Sequence, residues 1–213
     1  MYFDKSKMES VSTLGIYICK DIIATFGIMG NILILMVLLQ SHMRSTFNKL
    51  RSALAILDTI LLISYIVESI FYHTPAFKIA FPYFLWPIRN FAQTASIFMT
   101  VVIAVERFTA IHYPLKYKRN KHSRAIKYIL SVTICAGALN VTKFFELEGD
   151  PKVQGSWFKE IKATDLYNNV IYAIYHLVIF KFLITGAIPI AVFIFIYAKI
   201  YIKFKENRQF SLN

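Results

Sequence analysis

Long apolar runs separated by short, mostly basic connections set the pattern of this chain. Five runs approach or exceed the ~20 residues needed to cross a bilayer core. They are about Ile22–Leu39 (with a start reaching back toward Leu14), Ala53–Tyr72, Ile88–Ile111, Ile126–Val141 and Val170–Ile202. The fourth is the shortest. The third is the most informative, because its polar residues are periodic. Arg89, Gln93, Ser96, Thr100, Ile103 and Arg107 recur at steps of four and three, which puts them on one helix face. That face is largely polar, on a segment otherwise built from Ile, Val, Phe, Ala and Met. It must look onto packed protein or a wet cavity, since lipid offers such groups no partners. The pattern predicts an all-α, multi-pass transmembrane helix bundle of about five spans.

Composition agrees. Of 213 residues, 57% are hydrophobic and the mean hydropathy is +0.52, too apolar for an ordinary soluble domain. The net charge of +12 raises nucleic acid as a partner, but the bases sit in short segments between the apolar runs, which is the positive-inside pattern and excludes that class. Arg44, Lys49 and Arg51 follow the first run, and Lys116, Lys118, Arg119, Lys121, Arg124 and Lys127 follow the third. Lys199, Lys203, Lys205 and Arg208 form a basic tail. On the alternate side, the Lys143–Asn169 connection holds slightly more acids than bases. The expected topology has the N-terminus outside and the C-terminus in the cytoplasm. Residues 1–21 would be a short extracellular N-terminus, 22–202 the bundle and 203–213 a cytoplasmic tail. The polar opening MYFDKSKMES, with no cleavage pattern after the first run, predicts no cleavable signal peptide.

Several polar groups fall inside the apolar runs. Asn31, Asp58 and Ser96 lie on three neighbouring spans. A carboxylate at membrane depth costs at least ~2.5–3.5 kcal/mol. The three could share waters, coordinate a small cation through oxygen, or simply hold helices together. Glu68, Arg89, Gln93 and Lys181 lie nearer the outer side and could line a ligand cavity; Glu68 and Arg89 could equally pair with each other. Glu106 and Arg107 lie at the inner end and could pair with each other or with another helix, a pairing of the kind that can serve as a switch. Cys19 and Cys135 lie in or beside apolar runs and read as free thiols. No phosphate loop, metal-ligand spacing or serine elbow is present, so no enzyme and no metal centre are expected beyond that small cation. A transporter or channel would need paired repeats or charged pore rings, and neither occurs.

The motifs together resemble the rhodopsin-like (class A) G-protein-coupled receptors over their first five spans. They are Gly30-Asn31, then Leu54-Ala55 with Asp58, then Ser96, then Glu106-Arg107-Phe108 followed by Ala110-Ile111, Pro114-Leu115 and Tyr117, and last Pro189 with Tyr197. Within that class, AQTASIFMTVVIAVERF, the Met43–Ser45 triplet and the Lys143–Glu146 tetrad are similar to invertebrate FMRFamide-type neuropeptide receptors. The resemblance implies an extracellular peptide ligand at Glu68, Arg89, Gln93 and Lys181, with Glu68 receiving a ligand arginine. It implies an allosteric sodium ion at Asp58 and Ser96, supported by Asn31, and no other cofactor. A heterotrimeric G protein would engage Arg107 after its release from Glu106, with Pro114, Leu115 and Tyr197 in the coupling region and Pro189 kinking span five. Membrane lipid and a receptor dimer complete the expected partners.

The chain departs from the family pattern in several places. Phe108 replaces the usual Tyr, no cysteine stands at the top of span three, and span four lacks the common tryptophan. Arg89 stands where amine receptors carry an aspartate, which argues against a monoamine ligand. Spans six and seven do not follow span five, so a five-span chain is expected to couple poorly to a G protein. The alternative function is a non-signalling truncated isoform that modulates a full-length receptor.

Overall fold

The computed structural model describes residues 5–40, 45–71, 74–114, 117, 124–149 and 161–210. Among these, five helices are long and apolar enough to cross a membrane: Gly15–Leu38, Thr46–Phe71, Phe81–His112, Arg124–Phe144 and Val170–Lys203. All five expected runs are present, and most are longer than their apolar cores. The first helix already begins at Lys5, because nothing in its polar flank breaks a helix. The third begins with a wide turn over Phe81–Leu85, which accommodates Pro82 and Pro87 before the regular helix Trp86–His112. Leu115 and most of the basic connection after it lie outside the described residues, as do Met43, Arg44 and Tyr72.

The third span is the hub, packing on the second, fourth and fifth, while the first packs on the second. Its contact faces are small: Ala92, Ala95 and Ala104 are fully buried, as is Ala136 on the fourth span. Small side chains let helix backbones approach closely where no hydrophobic drive exists between helices in lipid. Leu50, Ala95, Met99, Val132 and Ala136 form the core. Large apolar side chains such as Phe26, Phe84, Ile134 and Phe195 instead project outward, as a lipid-facing surface requires.

Hydroxyls inside the spans are satisfied without water. Thr59 donates to Ala55 O at 2.6 Å, Thr94 to Asn90 O at 2.9 Å and Thr100 to Ser96 O at 3.0 Å. Part of the polar stripe on span three therefore closes on its own helix.

Glycine decides one contact. A Cβ on Gly27 would meet the Leu62 side chain of span two, its Cδ1 at 2.7 Å, while Gly30 has open space. Gly27→Val is expected to cost about 1–3 kcal/mol through overpacking, with Gly30→Val as the near-neutral control. A reversible unfolding titration of both variants in mixed micelles checks this; equal midpoints would refute the close approach.

Two features of the fold do not show in the apolar pattern. The fifth span is a wide, π-type helix from Tyr175 to Ala187, and it returns to α geometry at Ile188–Phe210. Pro189 sits at that junction, buried, and lacks the N–H that would bond back one turn. The helix thus changes pitch beside Pro189. Between spans four and five, Leu147–Gly149 (β1) and Ile161–Ala163 (β2) pair antiparallel, with Glu148 opposite Lys162. Three-residue strands are too short to leave an alternation signal. This marks one end of the bundle as the hairpin end, opposite the basic end.

Candidate functional site

At the hairpin end, Glu68 on span two and Arg89 on span three form a buried ion pair joined by a hydrogen bond. Lys20 on span one adds a second cation, its Nζ 3.5 Å from Glu68 Oε2. Aromatic rings hold both cations. Tyr65 lies under Lys20 at 4.7 Å and under Arg89 at 5.1 Å, and Arg89 also stacks on Phe81 at 5.3 Å and Trp86 at 5.6 Å. Such contacts are strongest where water is excluded. Beside them, Ser69 donates to Asp21 Oδ2 at 2.5 Å.

Trp86 leads from this cluster to a second. Its indole N–H donates to Glu146 Oε2 at 3.0 Å. Lys143 Nζ lies 2.5 Å from Glu146 Oε1, and the Tyr172 hydroxyl donates to the same oxygen. Thr142 Oγ1 stands 3.0 Å from that hydroxyl. Lys143 also meets His176 Nε2. Lys143 and Glu146 are fully buried. Burial drives the Glu146 carboxyl upward, but hydrogen bonds from Lys143, Tyr172 and Trp86 outweigh it and hold the group below its ordinary carboxylate range. A chain of contacts thus runs from span one to span five.

The other expected ligand residues behave differently. Gln93 is exposed, and so is Lys181, which lies within electrostatic reach of Lys143 and His176 rather than of Glu68. One turn further along their helices, Ile97, Thr100 and Val101 face Thr185, Pro189 and Phe193 across a cavity of about 350 Å³. The structure therefore separates the four: Glu68 and Arg89 are locked together, while Gln93 and Lys181 are exposed, and neither lines the apolar crevice between spans three and five.

At the middle of the bundle, Ser96 donates a hydrogen bond to Asp58 Oδ1. Asn31 makes no hydrogen bond to either among the described residues. At the basic end, the Arg107 guanidinium lies 3.2 Å over the Phe47 ring and is exposed. Glu106 is buried, and neither of its oxygens has a partner at full hydrogen-bond distance among the described residues. The two are not paired with each other. Tyr117 is close enough to feel that carboxylate: burial first, and the Glu106 charge second, raise its phenol above its ordinary value. Phe108 stacks on His112 at 4.1 Å. Pro114 and Tyr197 are exposed, and Tyr197 contacts Phe193 at 4.6 Å.

Sequence reasoning missed Lys20, Tyr65, Trp86, Tyr172 and His176 as site residues; it placed Lys143 and Glu146 in the connection after span four, where they lie in a 3-10 turn and a bend, without foreseeing their burial together. The available signal was the spacing of Lys143 and Glu146, three residues apart at the end of an apolar run.

Helices that trap ion pairs and a hydroxyl–carboxylate contact among lipid-facing side chains define an integral membrane protein of the multi-span α-helical class. The profile of the 7 transmembrane receptor (rhodopsin family) matches residues 30–211, and the chain belongs to that family. It is similar to the FMRFamide receptor of Drosophila melanogaster, with 34% identity over 139 residues. The matched part is 60% of this chain and 25% of that receptor, so the chain spans about a quarter of the relative's length.

Proposed function

We propose that this chain belongs to a plasma-membrane receptor for a neuropeptide of the FMRFamide kind, with the hairpin end outside the cell. The observation that carries this reading is the open, apolar crevice between spans three and five, with exposed Gln93 and Lys181 four residues before its lining residues Ile97 and Thr185. It supports an amphipathic peptide end, apolar side chains below and backbone carbonyls above. At the basic end, exposed Arg107 is the contact for a heterotrimeric G protein, with exposed Pro114 and Tyr197 in the coupling region.

Binding of fluorescently labelled Phe-Met-Arg-Phe-amide to the chain in lipid nanodiscs tests the reading. Saturable binding is expected, weakened about tenfold or more in Gln93→Leu/Lys181→Ala, since each lost polar contact is worth ~1 kcal/mol. Absence of saturable binding would refute it.

Asp58 and Ser96 supply a carboxylate and a hydroxyl oxygen, a donor set suited to a sodium ion. Sodium chloride in place of choline chloride is then expected to raise the thermal midpoint, and Asp58→Asn to abolish the difference. An equal response in both proteins would discard the ion.

A further inference from the structure

The contact between Lys143 and His176 has no part in the reading above. Lys143 is fully buried and an ammonium can only donate, so His176 Nε2 must accept and the ring must be neutral, with its proton on Nδ1. The ring is half-buried and stacks on Tyr172 at 6.0 Å and on Phe180 at 5.6 Å, nearly parallel to both. The charged groups acting on it are Lys143 and Glu146 from the span-four corner and Lys181 from its own span, with the Tyr172 phenol beside it. Two cations thus face one carboxylate, and Glu146 is already filled by Lys143, Tyr172 and Trp86.

We propose that His176 is a proton-binding site that controls the attachment of span five to the span-four corner. A proton on Nε2 removes the acceptor that Lys143 uses and sets imidazolium against ammonium with no free carboxylate to compensate. The ring then leaves the contact. Histidine is the side chain whose ordinary titration falls between pH 5 and 8. Besides the Tyr172 hydroxyl on Glu146 and the Phe180 ring under Lys143 at 5.8 Å, burial adds little: among the residues of 170–188 whose burial is described, Phe180 alone is buried. On the topology proposed above, the controlling pH is that outside the cell. The release itself depends on neither that topology nor a ligand.

The experiment is amide hydrogen exchange on the whole chain in nanodiscs at pH 7.5 and 5.5, with labelling times scaled to the intrinsic chemical rates. Exchange over 170–180 is expected to rise about tenfold at the lower pH, the worth of one charge-assisted hydrogen bond. Residues 46–71 should not change. His176→Gln keeps an acceptor oxygen for Lys143 but cannot titrate, and should abolish the difference. Lys143→Met removes the opposing charge and should shrink it. An unchanged wild-type 170–180 segment, or a difference that survives in His176→Gln, overturns the proposal. Should that variant fail to fold, the ring signals of wild-type chain labelled with ¹³C-histidine decide: no imidazole titrating over the interval in which exchange changes has the same consequence.

Discussion

Glu146→Ala is expected to cost about 3–5 kcal/mol of stability, because it strands the Lys143 ammonium in a site with almost no water. The same change deprives the Trp86 indole and the Tyr172 hydroxyl of their acceptor. The unfolding midpoint of the micelle-bound chain reads the loss, and Lys143→Met/Glu146→Leu separates its two causes. The double variant should recover most of the stability, since an apolar pair of similar volume leaves no charge unpaired. A single-variant cost below about 1 kcal/mol would mean that water reaches this corner. Acid acts in the same direction. The Glu146 carboxyl is depressed, so its contribution is present at and above the ordinary carboxylate range near ~4.3 and is lost as pH falls through its lower folded value.

The second large effect is expected at Glu68. Glu68→Leu leaves the buried Arg89 guanidinium, and Lys20 beside it, without a counter-charge, at about 3–5 kcal/mol. Glu68→Leu/Arg89→Leu should regain most of that. The consequence for binding differs from that of a direct ligand contact. Because Glu68 is already engaged by two cations, Glu68→Gln should lower the amount of folded, binding-competent chain and leave the affinity of what remains unchanged. A saturation curve separates the two: a shifted Kd at constant capacity would return Glu68 to the ligand.

The apolar runs and the polar stripe made the helical architecture legible in advance, since hydrophobic length and a 3.6-residue period are properties of neighbouring residues. The Asp58–Ser96 contact was legible for a different reason: two polar groups stranded at similar depth on adjacent spans have few partners to choose from. The hairpin-end network was not. Lys20 sits at a span boundary, where a cation ordinarily faces headgroups, and nothing local says that Tyr65 will take it. Trp86 and Glu146 lie 60 residues apart, and their meeting depends on how far the third helix extends before Ile88. The wide helix of span five was hidden as well, because Pro189 marks a break without stating which pitch lies on either side of it.

Consider last the position of Trp86. Its ring touches the guanidinium of one charged group, and its N–H holds the carboxylate of the other. With it in place, the hairpin end works like a keyed arch in which every voussoir leans on the next. The contacts that seat the fifth helix through Tyr172 thus share one carboxylate with the indole that backs the Arg89–Glu68 pair and, beyond it, Lys20 on the first.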